Sequence, residues 1–470
     1  MNKKILFCLV ILGLISISFI YVLRADCNTN ENINGIWFGA LKVPGREIKI
    51  VFNISQKKDG TLTATIDSPD QGAKGIPVNS ITFKNTTLRI ESKTISGVFE
   101  GNLKPDGTIE GQWMQGGVTL PLIVKKVDKL PEINRPQEPK KPYPYHEEEV
   151  VYENKKAGVK LAGTLTLPDS KGPFPVVLLI TGSGPEDRNE TVFNHRPFLV
   201  LADYLTRQGI AVLRVDDRGV GGSTGNTANS TTEDFAADVL AGVEFLKNHK
   251  EINPRQIGLI GHSEGGIIAP MAAVQSSDVA FIVMLAGTGL TGEEILYLQG
   301  SLIAKAEGGS DDDIKKAMEI NKKLYTVIKQ EKNKKVAEQK LREILAETAK
   351  DQKDYPKAAM DAQIKQLLSP WLVYFLTYDP QPTLMKVKCP VLAINGEKDL
   401  QVPPKENLKA IEYALKSGGN KNYTIKELPN LNHLFQTAKT GSPSEYENIE
   451  ETFAPAALKI IGDWILEQTK

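Results

Sequence analysis

The sequence predicts two folded units: an all-β module of barrel or sandwich form, then an α/β domain whose mostly parallel sheet has helices on both faces and carries a helical cap. Three observations predict this. Short alternating runs separated by turn signals fill residues 28–128. Apolar strand-length runs alternate with amphipathic helical stretches over most of residues 147–470. A charged, helix-patterned insert interrupts that alternation at about 290–380.

The chain opens with a basic Asn2-Lys3-Lys4 and an apolar run from Ile5 to Leu23. Residues 1–25 read as a signal peptide with Ala25 at the cleavage point, or as an uncleaved membrane anchor. A lipid on Cys27 fits poorly, because Arg24 and Asp26 stand where small residues are wanted. The expectation is an exported protein, periplasmic, secreted or membrane-anchored, touching membrane only through this segment.

In the β module, runs such as Glu47–Ile54, Thr87–Glu91 and Thr108–Met114 are separated by Lys58-Asp59-Gly60 and Pro105-Asp106-Gly107. Regularly spaced short strands with Asp-Gly turns suit a sandwich or barrel. The echo between Gly35-Ile36-Trp37-Phe38-Gly39 and Gly111-Gln112-Trp113 reads as a tryptophan packed in the closure of such a barrel. Residues 129–146 carry Pro131, Pro136, Pro139, Pro142 and Pro144 among charged residues, which predicts an extended spacer.

After the spacer, Glu149–Glu153 and Lys160–Leu167 predict a strand pair. Val176–Ile180, Ile210–Val215, Gln256–Ile260, Ala280–Leu285, Pro390–Ile394 and Tyr423–Leu428 predict further strands, and Phe453–Leu466 a closing helix. Alternating apolar strands and helices imply a parallel sheet buried on both faces. An insert between two strands of that sheet is placed to cap the strand ends; a lateral decoration is the alternative.

Lys+Arg and Asp+Glu number 57 each, so no long-range field draws the chain to nucleic acid. The three cysteines, Cys8, Cys27 and Cys389, form neither a disulfide framework nor a zinc spacing. No metal and no cofactor is implied.

The chemistry centres on Gly261-His262-Ser263-Glu264-Gly265, which follows an apolar strand and precedes a helix. Gly-x-Ser-x-Gly there puts the serine on a tight strand-to-helix turn, with the hydroxyl exposed and the positive helix end aimed at it. The bare motif is weak. Gly221-Gly222-Ser223-Thr224-Gly225 also matches, but its strand ends near Asp216 and a polar loop follows it. Ser263 is therefore the candidate nucleophile, and a serine needs an adjacent base. Of five histidines, His433 lies in the loop between the last strand and the closing helix, at the sheet edge where the serine turn ends. His262 is expected to turn away and pack. The acid is expected after the preceding strand, where Asp399 is preferred over Glu397. For the oxyanion, Glu264 supplies one backbone N–H, and the loop Thr181-Gly182-Ser183-Gly184 a second, assigned to Ser183. Gly182, Trp371 and Tyr374 are the candidate pocket residues; the aromatics of residues 370–378 line an acyl pocket or anchor the cap.

Taken together, Thr181–Glu190 (TGSGPEDRNE), Val215–Gly225 (VDDRGVGGSTG), Gly261–Gly266 (GHSEGG), Asn395–Pro403 (NGEKDLQVP) and Leu431–Phe435 (LNHLF) resemble bacterial α/β-hydrolases of the esterase and serine-aminopeptidase type. The resemblance covers about residues 158–470. It implies ester hydrolysis by a Ser-Asp-His triad mapped onto Ser263, Asp399 and His433. This chain has Thr181 where many relatives have histidine.

Three functions follow as alternatives. The first is a carboxylesterase acting on short or medium acyl esters through an acyl-enzyme. The second is an amide hydrolase, a peptidase whose acidic residues Glu186, Asp187, Glu293 or Glu294 would bind a terminal amine. The third is a non-catalytic binding protein in which the β module does the work.

Overall fold

The computed structural model describes residues 33–43, 46–69, 73–116, 118–130, 134–348 and 357–470. The expected signal or anchor, with Cys8 and Cys27, lies outside the described residues. Among those described, no helix is long and apolar enough to cross a membrane.

The first unit is one antiparallel sheet of nine strands: β1 (Gly35–Val43), β2 (Arg46–Gln56), β3 (Leu62–Ser68), β4 (Ala73–Pro77), β5 (Ser80–Lys84), β6 (Thr87–Ser92), β7 (Gly97–Leu103), β8 (Thr108–Gln115) and β9 (Val118–Val127). The spatial order is β4-β3-β2-β1-β9-β8-β7-β6-β5. Its two edges, β4 and β5, are consecutive in the chain and joined only by Val78 and Asn79. The sheet therefore curls back on itself as a half-barrel, with no pairing between its edge strands β4 and β5 among the described residues. The interior is filled by inward residues such as Phe52, Leu88, Ile90, Phe99 and Trp113. Trp37 and Trp113 are buried, and a Cβ on Gly39 would sit 2.2 Å from the Ile123 carbonyl oxygen. The glycine is there because neighbouring strands touch.

The second unit is an eight-stranded sheet of β10 (Tyr145–Asn154), β11 (Val159–Pro168), β12 (Phe174–Ile180), β13 (Ala211–Val215), β14 (Ile252–His262), β15 (Val279–Leu285), β16 (Val391–Gly396) and β17 (Tyr423–Leu428), in the order β10-β11-β13-β12-β14-β15-β16-β17. β10 and β11 form an antiparallel hairpin, and β11 pairs antiparallel with β13. Every pairing from β13 to β17 is parallel. Two apolar cores, one on each face, bury these strands. One face holds α2 (Thr232–Lys247), α3 (Gly265–Ala273) and α10 (Pro404–Ser417); the other holds α1 (Pro197–Arg207) and α11 (Pro455–Gln468). This is the α/β-hydrolase fold.

Between the paired strands β15 and β16 the chain leaves the sheet for α4 (Gly292–Ala306), α5 (Asp311–Gln330), α6 (Lys334–Thr348), α7 (Lys357–Leu367), α8 (Pro370–Thr377) and α9 (Gln381–Leu384). The insert has its own core around Leu324, Leu341, Leu345 and Leu372.

The spacer departs from expectation. The second sheet begins at Tyr145 rather than at residue 147, and residues 134–138 are docked rather than free. The Arg135 guanidinium donates to the carbonyls of Phe193, Asn194, Glu447 and Ile449. Gln137 exchanges hydrogen bonds with Thr452 and Phe453. Proline kept this stretch out of helix and sheet, but its polar side chains satisfy loop carbonyls that would otherwise lack partners.

Candidate active site

Ser263 is partly exposed between buried neighbours and has φ +53°, in the left-handed region. A non-glycine residue holds that conformation only when its surroundings force it. Two contacts do so here. A Cβ on Gly261 would lie 1.9 Å from the Gly265 carbonyl oxygen, and one on Gly265 would lie 2.3 Å from the Ile180 carbonyl oxygen. Both motif glycines are thus required by close approach, and the start of α3 is pressed against the end of β12. The Ser263 N–H donates to the Leu285 carbonyl at 2.9 Å, closing the turn.

The loop after β17 carries His433, buried, with Nδ1 2.8 Å from Asp399 Oδ2. The other oxygen of Asp399 accepts the N–H groups of Gln401 and Val402, both at 2.8 Å. A carboxylate so held keeps the imidazole proton on Nδ1 and leaves Nε2 as acceptor. Glu397 is exposed and accepts instead from the Asn430 N–H. The Ser263 hydroxyl makes no hydrogen bond among the described residues. Serine–imidazole bonds are commonly loose before substrate binds.

On the opposite side, a Cβ on Gly182 would be 3.4 Å from Ser263 Cβ. The Gly182 N–H is taken by Glu190 Oε1 at 2.8 Å. The N–H groups of Ser183 and Glu264 have no partner among the described residues, as free oxyanion donors require.

The Glu264 side chain is buried, which pushes its carboxyl pKa up. It accepts from Thr232 Oγ1 at 2.7 Å and, with both oxygens, from Trp371 Nε1 at 2.9 Å. Cap helix α8 is therefore tied to the residue after Ser263. Trp371 also stacks on Phe375, and Tyr374 on Tyr378. The insert meets the strand ends, as a cap does.

Ser223 is buried, its hydroxyl bonded to Asp216 and Ala162. Asp187 braces its own loop through Thr191 and Asn189, Glu293 pairs with Lys329, and Glu294 caps α4. Glu186 differs. Its carboxyl makes no hydrogen bond among the described residues, and burial, with Glu190 and Asp217 nearby, pushes its pKa up to about 8. Asp217, which accepts from Thr181 Oγ1 and the Glu186 N–H, is pushed up to about 8, chiefly by burial. Arg188 binds Asp216 with two nitrogens, so the loops after β12 and β13 are locked together.

Two groups beside Ser263 were not singled out from sequence: Glu190, and His262 as more than a packed ring. Their Nδ1–Oε1 distance is 2.8 Å. His262, expected to turn away from the pocket and pack, is buried, and its ring nitrogens face two polar partners. The loop-to-strand pairing leaves no periodic signal to find it by.

The model of the X-Pro dipeptidyl-peptidase (S15) family matches residues 157–423. Esterase EstD of Thermotoga maritima is 28% identical over 288 residues, covering 61% of this chain and 61% of that protein's length. An uncharacterized 31.7 kDa protein of Escherichia coli, from the traX-finO intergenic region, is 26% identical over 231 residues, 47% of this chain and 73% of that one. Among solved structures, the Pyrococcus furiosus esterase PF2001 aligns at 17% identity and TM-score 0.42, over 72% of this chain and 98% of that chain. Est1E from Butyrivibrio proteoclasticus aligns at 17% identity and TM-score 0.38, over 68% and 98%.

Proposed function

We propose that this chain, which belongs to the X-Pro dipeptidyl-peptidase (S15) family, is a serine carboxylesterase with Ser263 as nucleophile, His433 as general base and Asp399 as the acid that orients it. The observation that carries the reading is the buried His433–Asp399 pair, 2.8 Å apart, at the sheet edge that holds Ser263 in its strained turn. Ser263 Oγ attacks the ester carbonyl while His433 Nε2 takes its proton. The oxyanion is held by the N–H groups of Glu264 and Ser183, beside the N-terminus of α3. The alkoxide leaves with the proton from His433, and water then releases the acid from the acyl-enzyme by the same base.

A relative that bears the name esterase supports ester over amide. The second reading is amide hydrolysis, which the family's description favours. The half-buried, unbonded carboxyl of Glu186 also favours it, being suited to a substrate amine. Initial rates on p-nitrophenyl esters of graded acyl length, beside aminoacyl p-nitroanilides, separate the two. The expected result is ester turnover that falls at least about 10⁴-fold in Ser263→Ala, with little anilide cleavage. Turnover undiminished in that variant overturns the hydrolase assignment of Ser263; serine-dependent anilide cleavage above ester turnover selects the amide reading.

A further inference from the structure

His262 is the last residue of β14 and is 6% exposed; Glu190 is 4% exposed, with φ +52°. His262 Nε2 is 3.0 Å from the carbonyl oxygen of His433, and the two rings lie 4.7 Å apart. A carbonyl oxygen only accepts, so Nε2 carries a hydrogen. Nδ1 faces Glu190 Oε1 at 2.8 Å, and that oxygen already accepts the Gly182 N–H. A neutral imidazole has one N–H, and here both ring nitrogens face acceptors. The contact set therefore requires one more proton than a neutral histidine beside a carboxylate would hold. A carboxylate that already receives one N–H is best satisfied by receiving the second from an imidazolium.

From this we infer that Glu190 and His262 are a positioning pair for the reaction. A protonated His262 holds the carbonyl of His433, and Glu190 holds both His262 and the loop after β12. The inference rests on the reading of Ser263 and His433 given above. Neither residue touches the reacting atoms. One pair joins the strand end that carries Ser263, the loop that carries His433 and the loop that carries Ser183. By occupying the Gly182 N–H, Glu190 also leaves Ser183 as the donor of that loop.

The groups facing the pair agree with a held proton. Burial is the largest single influence and works against charge on His262, but Glu190, the His433 carbonyl and the charge of Asp399 together outweigh it, and the His262 pKa is pushed up to about 8. Glu186, from the loop of Glu190, also faces the imidazole. Loss of the proton removes one of the two donors and frees either the His433 loop or the Glu190 loop.

The test uses the full chain labelled with [¹⁵N]histidine, with the His262 signals assigned by their loss in His262→Asn. Both His262 nitrogens should show imidazolium shifts at pH 7 and titrate with a midpoint near pH 8. The kcat for a p-nitrophenyl ester should fall through the same midpoint. In His262→Asn, kcat should be about 10–100-fold lower, KM little changed, and that high-pH limb absent. Glu190→Gln should move the wild-type midpoint down. A neutral His262 tautomer at pH 7, or a high-pH limb unchanged in His262→Asn, overturns the inference. Because the resonances are read without substrate, they decide the state of the pair even if no serine-dependent turnover is found, which would count against the esterase reading instead.

Discussion

Asp399 accepts two backbone N–H groups with one oxygen, while the other faces the His433 imidazole and the Asn395 amide; in the proposed triad its role is orientation. Asp399→Asn keeps the shape but offers the imidazole the wrong partner. The expected result is a kcat lower by about 10⁴-fold at pH 7 with near-normal folding, checked by ester kinetics and circular dichroism. Trp371→Phe removes the indole on the buried Glu264 carboxyl, which then keeps Thr232 as its partner among the described residues. An under-bonded buried acceptor costs about 1–3 kcal/mol, to be read as a lower Tm with a parallel fall in kcat, since the Glu264 N–H lies on the same turn. Residues tied to a strand end, such as Ser263, Asp399 and His433, were legible in the sequence because each sits at a fixed offset from an apolar run. Glu190 was not. Its side chain reaches across 72 positions to His262, and nothing local marks that contact.

Elements were legible where one period dominates. Thr232–Lys247 and Tyr423–Leu428 are predicted to the residue, and the strands of the parallel sheet within a few residues. β1 was read only as a tryptophan packed by glycines, and β4 (AKGIP) has too little apolar alternation to mark a strand. Helix α10 begins at the second of two prolines and carries five charged residues among its fourteen, so only its buried stripe of Leu408, Ile411 and Leu415 identifies it. The spacer was misjudged because composition describes what a segment cannot do, not what its side chains reach. Arg135 bonds four carbonyls in two loops, one of them the segment that also supplies the partners of the buried His195. Arg135→Ala should cost roughly 2–3 kcal/mol and lower Tm by several degrees in a thermal scan, whereas Lys140→Ala, on the exposed side of the same spacer, should change nothing measurable.

Across the molecule, equal numbers of acidic and basic residues hide an uneven interior. Asp217 and His262 each have a folded-state pKa raised to about 8, from ordinary values of 3.8 and 6.5. For both, the folded state binds the proton more tightly. Their contribution to stability is whole below the ordinary value and is lost as pH rises through about 8. Asp217 acts over the wider window, from about pH 4 to pH 8. In Asp217→Asn the amide can accept from the Glu186 N–H and donate to Thr181, so the fold is kept. Relative to wild type, the variant should gain Tm at pH 8.5 and show little change at pH 4, in scanning calorimetry at both values. The β half-barrel is joined to this body by the docked spacer and touches it through Lys49, bonded to Glu447 at 2.9 Å.

The most direct measurement is reaction of the full chain with a fluorophosphonate, followed by mass spectrometry of the digested adduct. One phosphonyl group per chain, on the peptide containing Ser263 and absent in Ser263→Ala and strongly slowed in His433→Ala, is the predicted result. Labelling elsewhere, or no labelling of a folded chain, would contradict the assignment of Ser263 as an activated nucleophile.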